Sequence, residues 1–98
     1  MRYTIRYLKI AKDDLKEIRS YLSQFYPSTT QGFLSSLRKQ AGLLKSTPLM
    51  CEKYRDDTFY RKMVIGDYSV FYHVDETKQV VEIHHILHGS RDIKQYIK

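Results

Sequence analysis

The chain has 98 residues, of which 42% are hydrophobic and 13% aromatic, a composition that predicts one compact domain over residues 1–98 and excludes a disordered chain. Seventeen Lys and Arg against eleven Asp and Glu give a formal charge of +6, which attracts polyanions and acidic proteins without choosing between them. The single cysteine excludes an internal disulfide, and no apolar run is long enough for a membrane span or a signal peptide, so we expect a cytoplasmic protein without membrane contact.

The N-terminal part of the chain predicts one strand and then a helix. Residues 3–10 alternate in side-chain type, with β-branched and aromatic residues that favour a strand. From Asp13 the apolar residues recur every three or four positions, which predicts a helix that Pro27 ends. Asp13 and Asp14 would then lie in its first turn, where negative charge favours the helix dipole.

A second helix is predicted directly after the first. Residues 28–31 match a capping box, and the apolar positions that follow keep the helical spacing until Pro48. Gly32 and Gly42 each cost about 1 kcal/mol relative to Ala inside a helix, so this helix should depend on packing against the rest of the domain. Residues 49–58 show no period and are interpreted as a loop.

The stretch of residues 60–93 predicts three short strands joined by tight turns. In the middle strand, residues 68–74 alternate between apolar and polar side chains, which indicates one buried face and one solvent-exposed face. The preceding strand carries a basic residue on either parity, so its faces stay unassigned. The element order β-α-α-β-β-β predicts an α+β fold with a helical hairpin packed on one face of a twisted antiparallel sheet.

The clustered histidines His84, His85 and His88 raise the question of a metal site. In a regular strand, His84 and His88 would stand about 13 Å apart at roughly 3.3 Å per residue, too far to share one ion. We therefore expect no metal and no cofactor. His73, on the preceding strand, and one of His84 and His85 are interpreted as surface or packing residues.

A set of basic and proton-transferring residues lies near the predicted sheet and the tail that follows it. Its members are Arg61, Lys62, His88, Arg91 and Tyr96. Arginine and lysine can hold a phosphate, histidine or tyrosine can move a proton, and tyrosine can stack on a base, so these residue types suit RNA cleavage without a metal. The same types also suit the binding of an acidic protein segment, and the residues leave both readings open.

Three segments of the chain carry a resemblance to a known family: Tyr60-Arg61, residues 65–72 and residues 81–93. Together with the element order and the length, they resemble the RelE/ParE superfamily of bacterial toxins, the stable halves of type II toxin–antitoxin modules. The resemblance implies a growth-inhibiting toxin that a cognate antitoxin wraps and neutralises in a toxin–antitoxin hetero-oligomer. Such an antitoxin segment would fold on binding, as an added strand or as a helix in a groove.

The resemblance implies one of two targets. RelE-like members cleave mRNA in the ribosomal A site, and by position Lys62, Arg91 and Tyr96 resemble their lysine, late arginine and C-terminal tyrosine, with His88 as a further candidate. However, Ser69 stands where those nucleases carry an arginine. A neutral hydroxyl cannot replace a guanidinium that grips phosphate through two hydrogen bonds.

The ending of the chain is closer to the other branch. His88-Gly89-x-Arg91-Asp92 resembles ParE-like toxins, which poison DNA gyrase by binding. We therefore favour a gyrase poison, with Arg61, Lys62 and Arg91 as target-binding residues, over a ribosome-dependent ribonuclease. A third reading is an inactive member that binds its antitoxin and acts only as a co-repressor.

Overall fold

The computed structural model describes residues 2–55, 59–90 and 93–96, so the candidate residue Arg91 and its neighbour Asp92 lie outside the described residues. The order β-α-α-β-β-β is confirmed. The elements are β1 (Thr4–Tyr7), α1 (Lys9–Phe25), α2 (Pro27–Leu43), β2 (Arg61–Ile65), β3 (Tyr68–Asp75), β4 (Val80–His88) and a short 3-10 turn (Ile93–Gln95).

The four strands form one sheet in the order β1-β4-β3-β2. β2, β3 and β4 are consecutive antiparallel neighbours, as their short connections predict. β1, in contrast, runs parallel to β4, from the pair Thr4 and Val80 to the pair Tyr7 and Ile83, so the sheet is mixed where a fully antiparallel one was expected. A tight turn dictates the relative direction of neighbouring strands, whereas β1 meets β4 only after two helices and two other strands.

The β2–β3 turn is tight because of one glycine. Ile65 pairs directly with Tyr68, which leaves Gly66 and Asp67 as a two-residue loop. Gly66 has a φ of 59°, a left-handed conformation that only glycine adopts at little cost. At the β3–β4 turn, Gln79 has a φ of 56°, and the Asp75 carboxylate accepts a hydrogen bond from the Lys78 amide at 3.0 Å.

Both helices begin earlier than the sequence pattern suggested. α1 starts at Lys9 with Leu8 as its N-cap, so no acidic residue lies in its first turn. Pro27 is at the start of α2 and Tyr26 is its N-cap, without a side-chain cap, so the capping box predicted over residues 28–31 is wrong. Proline suits the first helical position because its missing amide hydrogen has no helical partner there anyway.

The main core lies between the helical hairpin and one face of the sheet, which we call the inner face. Its fully buried side chains include Leu44 after α2, Val70 and Tyr72 on β3, and Val81 and Ile83 on β4. The alternation predicted for β3 is confirmed on this face. No helix in the described part of the chain is long and apolar enough to cross a bilayer.

The opposite, outer face of the sheet is not the open surface that the sequence pattern suggested. Phe71 on β3 and Leu87 on β4 are 0% and 4% exposed. They form a second small cluster with Tyr54 and Tyr60 from the segment before β2 and with Ile93 from the C-terminal turn. The loop and the tail therefore bury part of the face that we expected to be free.

Candidate functional site

A β-bulge in β4 decides which way the histidines point. Phe71 pairs with His85 and Tyr72 with Ile83, so His84 is an extra residue in the ladder. Because of this extra residue, the core-facing positions of β4 are the odd-numbered Val81 and Ile83 before the bulge and the even-numbered Ile86 after it. His84 and His88 thus share a parity in the sequence but lie on opposite faces of the sheet.

Lys62 lies on the outer face. It pairs across the ladder with Phe71, and its ammonium is 5.9 Å from the centre of the Tyr54 ring. Arg61, the other basic residue of β2, has the parity of the buried Met63 and points to the inner side. Its Nη1 donates a hydrogen bond to the Cys51 carbonyl oxygen at 2.7 Å, so this guanidinium anchors the loop before β2.

His88 ends β4 on the inner side, with its ring edge-on to Tyr68 at 5.2 Å between centroids. Its Nδ1 accepts a hydrogen bond from the Ser90 amide at 3.0 Å and lies 2.7 Å from the Ser90 hydroxyl. An amide donor at Nδ1 leaves the proton of the neutral ring on Nε2. The Nε2 edge is therefore the one that can serve an external partner.

A broad cleft lies between the helical hairpin and the end of the sheet, and we call it the aromatic cleft. Two adjoining depressions share Tyr21, Tyr68 and His88, and the first has a volume of about 700 Å³. Tyr96, in the C-terminal turn, borders the second, and its ring centre is 6.1 Å from that of His85. His88 and Tyr96 are thus the two predicted site residues that share one cavity.

Ser69, at the position where the resemblance to RelE-like nucleases leads one to expect an arginine, is 5% exposed. It pairs with Val64 on one side and with Leu87 on the other, in the middle of the sheet. Its hydroxyl is therefore enclosed and presents no charge at the surface.

Two histidine contacts were missed by the sequence interpretation. On the outer face, the Tyr60 hydroxyl is 3.2 Å from His84 Nδ1, and Glu82 Oε1 is 3.6 Å from His84 Nε2. Burial lowers the pKa of His84, and the nearby Glu82 carboxylate opposes this effect. At the sheet edge, Asp14 Oδ2 lies 3.4 Å from His85 Nδ1.

A signal for the bulge in β4 was present in the sequence. The apolar positions of β4 step by two from Val81 to Ile83 and then by three to Ile86, and such a change of parity inside a strand indicates a bulge. A separation of about 13 Å between His84 and His88 applies only to a regular strand. Because the bulge adds one residue to the strand, His84 and His88 lie on different faces.

The structure therefore divides the predicted set. His88 and Tyr96 border the aromatic cleft, Lys62 is on the outer face, Arg61 holds a loop, and Arg91 lies outside the described residues. Neither depression of the cleft is lined by a Lys or Arg of the described residues. A histidine and a phenol can exchange protons with a ligand, but no described cation stands beside them to hold a phosphate.

Solved structures with the same fold are toxins and toxin–antitoxin complexes. The chromosomal ParDE system of P. aeruginosa matches with a TM-score of 0.73 and 13% identity, covering 89% of this chain and 96% of that one. A mutant of E. coli RelE in the free state matches with a TM-score of 0.69 and 15% identity, covering 99% of this chain and 94% of that one. A chain of the toxin–antitoxin complex RelBE2 of Mycobacterium tuberculosis matches with a TM-score of 0.66 and 21% identity, covering 90% of this chain and 99% of that one.

The sequence itself decides the family. No curated protein matches it significantly. The family model described as the ParE toxin of the type II toxin–antitoxin system parDE matches residues 5–93, nearly the whole chain. This match covers both helices and all of β2, β3 and β4. The chain belongs to the ParE toxin family and is a toxin of a type II toxin–antitoxin system within the RelE/ParE superfamily.

Proposed function

We propose that this toxin inhibits growth by binding DNA gyrase and does not cleave RNA. One observation carries the proposal: the candidate proton-transfer residue His88 and the candidate phosphate-binding residue Lys62 are on opposite faces of the sheet. His88 and Tyr96 border the aromatic cleft, whereas Lys62 packs near Tyr54 on the outer face. Cleavage of a phosphodiester needs both kinds of group around the same phosphorus atom.

The position of Ser69 supports the same conclusion. RelE-like nucleases, which the chain resembles, carry an arginine at this place, and Ser69 is a buried residue between two strands. Loss of one preorganised charge that stabilises a transition state costs roughly 3 to 4 kcal/mol, or about a hundredfold to a thousandfold in rate. Poisoning by binding has no such requirement, because it needs only a complementary surface on the target.

We further propose a cognate antitoxin as the physiological partner. Three of the structural relatives were solved as toxin–antitoxin complexes, from Mycobacterium tuberculosis, Pyrococcus horikoshii and E. coli. Co-expression with the protein encoded beside this chain should restore growth and yield a stable complex on size exclusion. Separate elution of the two proteins would contradict this partner.

Two assays on the purified protein test the target. With gyrase, ATP and relaxed plasmid, we expect loss of supercoiling and accumulation of protein-linked linear DNA. With translating ribosomes, primer extension should show intact mRNA. Cleavage at codons without DNA breaks would overturn the proposal in favour of the ribonuclease. Growth unaffected by high expression of the folded protein would favour the co-repressor.

Variants test the proposed target-binding residues. Lys62→Ala and Arg91→Ala should each weaken gyrase inhibition about fivefold or more, since the loss of about 1 kcal/mol of charged contact changes an affinity about fivefold. Lys78→Ala is the matched control, because Lys78 is exposed in the β3–β4 turn. Equal inhibition by all three variants would remove Lys62 and Arg91 from the proposed surface.

A further inference from the structure

The charge of the aromatic cleft is opposite to that of the whole molecule. The chain carries a formal charge of +6, yet the carboxylate, imidazole and basic side chains that the described residues contribute to the two depressions are those of three acids and one histidine. These residues are Asp14, Glu17, Asp67 and His88. These described carboxylates favour a cationic ligand, although the net charge of the protein attracts anions.

Two of these carboxylates are available to a ligand. Asp14 is already engaged, because its Oδ2 accepts a hydrogen bond from the Ile86 amide at 3.0 Å. Glu17 and Asp67 are exposed, and neither forms an ion pair or side-chain hydrogen bond within the part of the chain that the structure describes. Glu17 lines the second depression and Asp67 the first.

The walls between the two carboxylates are aromatic. Tyr21 packs against Phe25 at 5.1 Å and against Tyr26 at 5.9 Å between ring centres, while Phe33 and Tyr68 pack at 4.9 Å. The pKa of Tyr68 is raised by burial and then by the neighbouring Tyr21 and Asp67, so these groups are within electrostatic range of each other.

The helix-tip rings remain accessible. Tyr21, Phe25 and Tyr26 are 48%, 58% and 53% exposed. Ring faces attract guanidinium and ammonium groups by about 0.5 to 1 kcal/mol at exposed sites and by more when water is excluded. Arginine suits such a site better than lysine, because its planar group stacks on rings and its fork of donors matches a carboxylate.

We propose that the aromatic cleft binds a protein segment that carries an arginine beside apolar side chains. The guanidinium packs on the exposed Tyr21 ring and pairs with Glu17, one helical turn before it in the second depression, while the apolar neighbours contact Phe33 and Tyr26 in the first. A volume of about 700 Å³ accommodates several side chains, within the roughly 300–1,000 Å³ typical of binding pockets. A nucleic-acid backbone is disfavoured here, because its phosphates would meet the same carboxylates.

This inference does not depend on the target of the toxin, and its test uses a peptide alone. The probe is the capped pentapeptide acetyl-Gly-Leu-Arg-Leu-Gly-amide, compared with the same peptide carrying citrulline, a neutral isostere of arginine. Titration of the ¹⁵N-labelled full chain should give saturable shifts of amides around the cleft. The citrulline peptide should bind at least about fivefold more weakly, since it loses the charge-assisted hydrogen bonds.

Matched variants locate the site. Glu17→Gln should weaken binding of the arginine peptide about fivefold and Asp67→Asn should weaken it less, whereas Glu76→Gln, an equal change of charge in the β3–β4 turn, should leave it unchanged. Amide spectra of the free variants verify that each is folded. Absence of saturable shifts, equal affinity for both peptides, or undiminished binding by the cleft variants would overturn the proposal. So would shifts of the same amides on addition of single-stranded RNA.

Discussion

Asp14 is the residue that joins α1 to the edge of β4. β1 ends at Tyr7, which pairs with Ile83, so β4 continues beyond the last residue of its parallel neighbour. The Ile86 amide would be left without a partner strand there, and the Asp14 carboxylate accepts its hydrogen at 3.0 Å. The Asp14 side chain on α1 thus supplies the hydrogen-bond acceptor that a neighbouring strand would otherwise provide.

We expect Asp14→Ala to destabilise the protein by about 1 to 3 kcal/mol, because it leaves a partly buried amide without an acceptor. The adjacent Asp13 is the matched control, since it is 62% exposed in its side chain and forms only a surface ion pair with Lys9. Asp13→Ala should cost less than about 1 kcal/mol. Urea unfolding followed by circular dichroism measures both, and equal midpoints for the two variants would contradict the role of Asp14.

His84 makes the stability depend on pH. Burial lowers its pKa below the ordinary value near 6.5, while Glu82 opposes the shift. A group whose folded-state pKa is lowered contributes stability that is present above about pH 6.5 and lost as the pH falls toward the folded-state value. Below pH 6.5, the unfolded chain takes up the proton more readily than the folded protein does.

The free energy of unfolding should therefore fall between pH 7 and pH 5, and it should fall less in His84→Gln. Glutamine keeps an acceptor for the Tyr60 hydroxyl but does not titrate. The comparison of interest is the change with pH in each protein, which cancels any constant difference in stability between them. Parallel pH profiles for the two proteins would show that His84 does not contribute.

At the scale of elements, two glycines with different backbone conformations have opposite expected effects. Gly32 is inside α2, and a Cβ built there meets nothing within 4 Å. Gly66 is in the β2–β3 turn with a φ of 59°. A side chain fits in space at both positions, so the backbone conformation alone distinguishes them.

Gly32→Ala should stabilise the protein by about 0.5 to 1 kcal/mol, because alanine has the higher helix propensity and restricts the unfolded chain. Gly66→Ala should destabilise it by about 1 to 2 kcal/mol, because a left-handed conformation is strained for any residue with a Cβ. Thermal unfolding of the two variants under one condition measures both changes. Stabilisation by Gly66→Ala would contradict the assigned turn conformation.

At the scale of the whole molecule, the helical hairpin covers one face of the sheet, and the loop and tail cover part of the other. Among the described residues, Phe71 and Leu87 are the buried side chains of the outer cluster, so each makes a large share of its contacts. Leu87→Ala should cost about 2 to 4 kcal/mol through lost burial and the cavity that remains.

Val64→Ala is the control on the same face, because Val64 is 60% exposed and should change stability by less than about 0.5 kcal/mol. Loss of the outer cluster should also loosen the loop before β2, so limited proteolysis within residues 49–60 should be faster in Leu87→Ala. A protease pattern like that of the wild type, with equal stability, would mean that the loop is held by other contacts.

Much of the architecture could be predicted from local patterns. The turn residues Gly66 and Asp67 sit between two runs of alternating residues, and they form the two-residue hairpin that this chemistry predicts. The helical spacing of Ile18, Leu22 and Leu37 identified the buried sides of both helices. In each case the signal lies within a few residues of the element that it describes.

The arrangement of the candidate site depended on tertiary structure. Two histidines of one parity reached opposite faces because a bulge at His84 inserts a residue, and Phe71 became buried because a loop from elsewhere in the chain covers it. By itself, the sequence determined the elements, their order and the family resemblance, since these follow from local propensity and residue pattern. The direction of β1, the covered outer face and the acidic aromatic cleft in a basic protein came only from packing, because each depends on contacts between residues far apart in the chain.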